Sequence, residues 1–594
     1  MSCLCSCRRF RQWHPPGPKS VTHASLSDPP QPSASAGSIT DRALRHFSKP
    51  EFALLVATAV LLFVLRVGYA WTLVWSSDEP QHLHIVWAWV NGLLPYRDVF
   101  DNHSPLFSLL CSPFLALVGE RANPITPMRL LLIPLWFSSA WCIYKIGSRC
   151  FSVRVGVWAA LLSSLVPKYY FLIAQFRTDV LWTALWLAAL AILFCGRLTV
   201  PRVFCAALVL GAAFAVSMKT TLLLMTLLVT GGIVLLTRRR FGAVGPLAWR
   251  QGMAGALTAV AGLLIVPSLL VAWFAAHGAL GPMWYCVIQH NAMPGENTGA
   301  KIAERLWTHS GIFYAGFIAW FALAKSPAGT APDVAVRRMF LRVATLVFAG
   351  LLNGIWPIVS DQDYIPWWPL LGLVVAPAWL IGVDWIGARR QSIAIARELL
   401  LIAGGIAWLT HRYNPIKLRN QVAHDRIAQV LALTRPGEFV MDGKGEFVYR
   451  QRAWYYALET LTLRRLDAHL IQDDIVERLI ATRTAVINES GRLTPTARKF
   501  VHENYLHAWH VEVPGKQFDV PDTGTVSFDI ILPETYSVIS PDGPLAGTLD
   551  GTPIDGPRLL EAGPHTLQVA PGIHNAAIFW SRAATQGLTP YPVK

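Results

Sequence analysis

Asp78 and Glu79 stand side by side in the segment Trp75-Ser-Ser-Asp78-Glu79-Pro80-Gln-His82-Leu-His84, where a long apolar run ends. Ionisable groups at a membrane boundary are costly unless they are paired or used. An adjacent acidic pair suits proton transfer, one carboxylate acting as base while the other orients it. The same residues also fit a structural role, with Asp78 capping a short interfacial helix that carries Pro80 in its first turn. A second group follows in Pro95-Tyr-Arg97-Asp98-Val-Phe100-Asp101-Asn-His103-Ser104-Pro105-Leu106. Here Asp101 and His103 are candidates for binding, whereas Ser104 and Pro105 read as an N-cap and first helical residue, and Asp98 can simply pair with Arg97. The third group is Gln175-Phe-Arg177-Thr178-Asp179, in a tight turn between two apolar runs. The planar fork of an arginine at this depth suits a lipid phosphate. Snorkelling of Arg177 and placement of Asp179 at a helix N-terminus are the structural alternatives.

The elements that position these groups are apolar. Of the 594 residues, 53% are hydrophobic and 15% are charged, against roughly 25% charged in soluble domains. Apolar runs approach the roughly 20 residues that cross hydrocarbon. About eleven spans are expected, at 51–74, 127–147, 153–173, 179–196, 203–217, 220–237, 254–276, 309–325, 340–358, 365–383 and 396–410. The net charge of +15 sits in short clusters between the runs rather than on one face, which argues for topology and against nucleic acid. Arg42/Arg45/Lys49, Lys145/Arg149/Arg154, Arg197/Arg202, Arg238 to Arg240, Arg337/Arg338 and Arg389/Arg390 mark every second loop. With those loops cytoplasmic, the N terminus is inside. The segments 75–126, with two interfacial helices, and 277–308, the turns near 174–178, 218–219 and 359–364, and everything after 410 are then extracytoplasmic. The expected location is the inner (plasma) membrane, with multiple passes.

Residues 1–48, rich in Ser, Pro, Arg and His, read as a disordered cytoplasmic tail without a cleavable apolar segment. Cys3, Cys5 and Cys7 in that tail suit a metal or palmitoyl group as well as a plain flexible tail, and the nine cysteines imply no disulfide framework. Residues 49–410 read as a transmembrane catalytic domain, 411–514 as an extracytoplasmic α/β region and 515–594 as a small β-sandwich, with strands at 525–532 and 565–569 between Pro and Gly turns. Tyr449, Arg450, Arg452, Trp454 and Tyr455 form an aromatic and basic cluster that reads as a solvated helix start, with sugar or phosphate contact as the alternative.

Asp78-Glu79 after the first span, Phe100-Asp101-Asn-His103-Ser-Pro-Leu106 before the next, and Arg177-Thr-Asp179 at the third turn resemble the GT-C glycosyltransferases. The similarity is to the branch of dolichyl-phosphate-mannose-protein mannosyltransferases and lipid A aminoarabinose transferases. Their first loop has an Asp-Glu pair and then Phe-Asp-x-His-Pro-Pro-Leu, with Ser104 here in place of the first proline. Asp361-Gln-Asp363-Tyr364 resembles the family's later outside turn, and residues 536–569 locally resemble a PEGA-type surface β-module. The fold implied is a polytopic α-helical membrane protein, GT-C-like, with a C-terminal extracytoplasmic α/β plus β-sandwich region.

The resemblance implies inverting transfer of a sugar from a polyprenyl monophosphate to a lipid, glycan or protein acceptor at the extracytoplasmic face. In that reading Asp78 is the general base and Glu79 positions the acceptor or the loop helix. Asp101 and His103 line the cavity with Asp179, Arg177 holds the leaving phosphate, and Lys219 is a second phosphate contact. No cofactor is required; a divalent metal can be drawn from Asp78, His82 and Asp101. A pyrophosphate-donor oligosaccharyltransferase or glycan ligase, a membrane transporter and a surface anchor for the C-terminal module are the competing functions. A transporter predicts mid-span charge and an internal repeat, and neither is evident in the sequence.

Overall fold

The computed structural model describes residues 47–237, 249–292, 301, 303–304, 330–356, 358–387, 391–541 and 545–592. The expected span 309–325, nearly all of the expected tail and the cluster at Arg238 to Arg240 lie outside the described residues.

The chain enters the bundle at α1 (Lys49–Thr72), whose start is set by a capping box: Ser48 Oγ accepts from the Glu51 amide at 3.2 Å and Glu51 reaches back to the Ser48 amide. Helices α2 (Asp78–Val90) and α3 (Leu106–Val118) follow, joined by the 91–105 loop. Next come α4 (Ile125–Leu131) and α5 (Ile133–Cys150), broken at Leu132 ahead of Pro134. The expected span 153–173 is likewise split into α6 (Val153–Leu165) and α7 (Pro167–Leu172), because the residue before a proline is driven out of the helical region. Helices α8 (Thr178–Phe194), α9 (Val200–Val216), α10 (Thr220–Thr237) and α11 (Trp249–Ala276) continue the bundle. It closes with α12 (Leu280–Trp284), α13 (Pro332–Ile355), α14 (Trp367–Gly387) and α15 (Gln391–Arg412).

Among the described residues four helical stretches are long and apolar enough to cross a membrane: Lys49–Thr72, Ile125–Cys150 (α4 and α5 taken together), Thr220–Thr237 and Gly252–Ala276. Shorter apolar helices, such as α8 and α9, lie beside them. Packing inside the bundle relies on small residues where backbones approach: a Cβ on Gly211 would sit 2.4 Å from the Leu263 carbonyl, and one on Gly262 2.7 Å from that of Phe204, so α9 and α11 cross at these two glycines. Away from the candidate site, Glu51 is buried against Arg154 Nε at 2.6 Å and Trp158 Nε1 at 2.8 Å, tying α1 to α6.

After α15 the chain builds an α/β region. Helix α16 (Gln421–Leu433) precedes β1 (Val440–Met441), which pairs in parallel with β2 (Val486–Ile487) through α17 (Thr460–Asp467) and α18 (Ile475–Ala481). Helix α19 (Pro495–Asn504) then leads into β3 (Tyr505–Ala508) and the long β4 (Val511–Asp519). The remaining strands are β5 (Thr525–Ile530), β6 (Glu534–Ile539), β7 (Gly547–Leu549), β8 (Thr552–Pro553), β9 (Arg558–Leu560), β10 (Gly563–Val569) and β11 (Asn575–Trp580). One sheet has the order β1-β2-β4-β11-β6-β9 with β3 on β4, the other β5-β10-β7-β8. The two face each other over Phe528, Ile530, Tyr536, Leu567 and Ile578, which gives the strands of the expected sandwich a common core. The boundary drawn at 514/515 falls inside β4, and the first sheet runs without interruption from one region to the other.

Candidate active site

The first turn of α2 divides the acidic pair. Consecutive helical residues point about 100° apart, so one carboxylate enters the bundle and the next stays at its mouth. Glu79 is fully buried. It accepts from Arg129 Nε at 2.7 Å and Nη2 at 2.6 Å, from the Phe176 amide at 2.7 Å and from the Ser76 amide at 2.9 Å. Arg129 Nη1 also donates to the Leu73 carbonyl at 2.7 Å. One ion pair therefore joins the end of α1, the start of α2, α4 and the turn before α8. The acceptor positions of Glu79 are taken up by this joint, an arrangement that fits a positioning part for Glu79 better than proton transfer.

Asp78 faces the other way, with a quarter of its side chain exposed (26%). Arg177 Nη2 lies 2.8 Å from one oxygen, and Lys444 Nζ bonds the other. Arg177, the N-cap residue of α8, also contacts Asp179 at 3.4 Å, and Asp179 pairs with Lys219 at 3.0 Å. Lys219 Nζ lies 2.6 Å from Asp363, which the Ser360 amide and hydroxyl hold at 2.7 and 2.8 Å in a short 3-10 turn, Asp361–Tyr364. The result is one row of alternating charge, Lys444, Asp78, Arg177, Asp179, Lys219, Asp363, drawn from five separate stretches of chain. Burial by itself would push Asp78 up; Arg177 and Lys444 outweigh it and hold the carboxyl well below the usual carboxylate range. Burial pulls the Lys219 ammonium down, but Asp179 and Asp363 overcome it and raise its pKa above an ordinary lysine's.

Asp101 is buried and accepts from the His103 amide at 3.0 Å and from His103 Nδ1 at 2.9 Å. A third of His103 is exposed (34%), and its ring packs edge-on against His82 with centroids 4.6 Å apart. His82 lies one turn beyond Asp78 on the same face of α2 and links the two groups. Burial first, then His103 and Arg177, keep it well below the ordinary histidine range and so neutral at pH 7. Asp78 is paired with two cations and Asp101 with His103, and among the described residues no group of three or more His, Cys, Asp or Glu is placed to hold a metal ion.

Lys444 was not foreseen. It sits in Asp442-Gly-Lys-Gly-Glu446, directly after β1, and this turn docks on α2. Asp442 staples the turn by accepting the Gly445 amide at 2.6 Å and the Phe447 amide at 2.8 Å, while Glu446 accepts the Lys444 amide at 2.8 Å. Gly445 has φ +88°, and a Cβ there would lie 2.9 Å from the His84 Cβ. Gly445→Ala therefore pays left-handed strain of about 1–2 kcal/mol as well as the overlap with His84, and a lowered melting temperature is the expected result. An unchanged melting curve would show that the turn does not seat on α2. A lysine between two glycines, flanked by acids, was the available signal in the sequence. Arg129 had a different one, a lone arginine in an apolar run.

The cluster at 449–455 is neither helical nor solvated. Tyr449, Arg450, Arg452 and Trp454 are buried. Arg450 lies 3.1 Å from Glu120 after α3, and Gln451 donates to the Asp98 carbonyl at 3.0 Å. Tyr455 and Tyr456 pack around Phe100. The α/β region is thus seated on the 91–105 loop over the whole breadth of the site.

Residues 102–266 match the family model described as dolichyl-phosphate-mannose-protein mannosyltransferase, a stretch that includes Arg177, Asp179 and Lys219 and begins after Asp78. No curated protein matches the chain. Among solved structures, ArnT from Cupriavidus metallidurans in the apo state is similar at a TM-score of 0.54 and 12% identity, covering 78% of this chain and 97% of that one. The same protein bound to undecaprenyl phosphate is similar at 0.53 and 12%, with the same coverage. At that identity the likeness is one of fold, and it reaches beyond the bundle into the C-terminal region. The chain is thus similar to the dolichyl-phosphate-mannose-protein mannosyltransferase family over residues 102–266, and over most of its length it shares the fold of ArnT.

Proposed function

We propose that the chain moves a sugar from a polyprenyl monophosphate carrier to a lipid, glycan or protein acceptor at the extracytoplasmic face of the plasma membrane, by inverting attack with Asp78 as general base. The observation that carries this reading is the pairing of one part-exposed carboxylate with Arg177 at 2.8 Å. A base and a phosphate-binding cation so close can serve the two ends of one displacement, the acceptor proton and the leaving oxygen. Asp78 takes the proton as the acceptor attacks the anomeric carbon, and Arg177 balances the charge that grows on the phosphate. Glu79 and Arg129 position the turn that carries Asp78. Asp101 and His103 line the acceptor side, His103 being the exposed member of that pair. Asp179 orients Arg177 and Lys219 from below, and Lys219 is a structural cation held between two carboxylates rather than a free phosphate contact. The alternation of basic loops supports the extracytoplasmic placement. In the row described above each cation is already matched by one carboxylate, which supports a monophosphate donor over a pyrophosphate with its larger charge.

The test is a strain lacking this protein, complemented with the natural sequence or with Asp78→Asn, and compared by mass spectrometry of envelope lipids and glycoproteins. A sugar substituent that returns with the natural sequence and not with the variant is expected. Identical profiles in all three strains would end the transferase reading.

A further inference from the structure

Lys444 is an unusual partner for a base that must accept a proton. Its side chain is nearly buried (6% exposed), and its ammonium is described with two partners, Asp78 and, at 3.4 Å, Ser77 Oγ. A buried ammonium needs an anion beside it. The backbone under Lys444 is fixed by Asp442 and Glu446, yet the residue lies between Gly443 and Gly445 and its four-carbon stem is free of other bonds. Arg177, the second cation on Asp78, is anchored differently, by its weaker contacts to Asp179 and Gln175 at 3.4 Å each. Both cations can therefore turn by a short swing while their backbones stay in place. The groups facing Asp78 are Arg177, Lys444, Ser77 and His82, with Asp179 behind Arg177.

We propose that Lys444 and Arg177 form a clasp shared between Asp78 and the phosphate of the carrier, so that donor binding draws the cations off Asp78 and releases it as a base. This rests on the reading of the site as a polyprenyl-phosphate-sugar transferase, and it assigns the C-terminal region a direct part in that reaction through Lys444. In the transfer step the acceptor oxygen or nitrogen bonds to the anomeric carbon, and the bond from that carbon to the phosphate oxygen breaks. The electron pair stays on that oxygen, turning a phosphodiester monoanion into a monoester dianion, and the acceptor proton passes to Asp78. The two cations are then worth most to the departing group at the moment Asp78 is neutralised. In the resting protein they keep Asp78 ionised and occupied, which guards the site against proton transfer without a donor. The ordinary partner of Lys444 is thereby also a competitor of the ligand, and this yields an expectation opposite to that for a simple binding residue.

The experiment measures binding of undecaprenyl phosphate, and of the uncharged alcohol undecaprenol, to the full-length protein in lipid nanodiscs. Asp78→Asn is expected to bind the phosphate about tenfold more tightly than the natural protein, since its carboxylate no longer competes. Lys444→Met is expected to bind it at least about tenfold more weakly, the loss of one charge-assisted bond, while Lys444→Arg stays within a few-fold. Undecaprenol should bind all four proteins alike. If Asp78→Asn leaves the phosphate affinity unchanged or weaker, or if Lys444→Met alters phosphate and alcohol equally, the clasp is wrong and Lys444 only docks the C-terminal region. If the natural protein itself shows no preference for the phosphate over the alcohol, the transferase reading fails first.

Discussion

Asp78→Asn is expected to reduce transfer by about three orders of magnitude, within the range of about 10²–10⁴ that a positioned general base contributes, while the protein remains folded and inserted. The argument is one of elimination among the carboxylates near the site. Glu79 is enclosed by Arg129 and two backbone amides. Asp101 is committed to His103, and Asp179 and Asp363 share Lys219. Asp78 alone among these combines partial exposure with a cation suited to a phosphate. The amide preserves shape and the hydrogen bond from Lys444 but cannot take a proton. A pH dependence follows with a definite sign. Because Arg177 and Lys444 depress Asp78, its charged form persists well below the usual carboxylate range, and what it contributes is lost only as pH falls through that depressed value. The profile of kcat/KM for the free enzyme should then show no acid limb from Asp78 even through about pH 4, where an unperturbed Asp would titrate. A limb centred near an unperturbed carboxylate would mean that the two cations are not on Asp78 in the free protein.

Breaking the buried pair under the site should cost the most stability. Glu79→Gln leaves the Arg129 guanidinium buried without its countercharge and with one acceptor fewer, and loss of one member of such a pair costs about 3–5 kcal/mol. The melting temperature should fall sharply, and Arg129→Met should do the same from the other side. The double variant Glu79→Met with Arg129→Met should recover part of the loss, because no charge is then left uncompensated. Additive losses would show that the two residues act separately, against the geometry of two bonds at 2.6 and 2.7 Å. Transfer is expected to fail in the single variants even where protein survives, since the pair sets the angle of the helix that carries Asp78.

Much of this was legible in one dimension. Charge at the ends of apolar runs singled out Asp78, Arg177 and Lys219, and the structure brings all three into one row with Asp179. Residue type could not say which way a carboxylate points: Glu79 and Asp78 are neighbours with equal claims in sequence, and a helical turn of about 100° decides between them. Lys444 was out of reach for another reason. Its pairing with Asp78 spans most of the chain, and the local signal, a lysine between two glycines flanked by acids, marks the residue without naming its partner on α2. Residues 449–455 failed similarly, since arginines and tyrosines that look solvated in sequence are buried by docking on the 91–105 loop. The break at Val166 is encoded by Pro167, whereas hydropathy reads straight through it. The β-strand pattern was seen, but β4 continues through the expected boundary because the sheet is shared between two regions.

The most direct measurement follows the sugar itself. Polyprenyl-linked sugars labelled in the sugar and drawn from the cells that make this protein would be supplied to it in proteoliposomes with a total envelope extract as acceptor. The account predicts that label leaves the carrier, that polyprenyl monophosphate accumulates, and that the new bond has the opposite anomeric configuration, with none of this in Asp78→Asn. Label that stays on the carrier, transfer with retained configuration, or equal transfer by Asp78→Asn would contradict it.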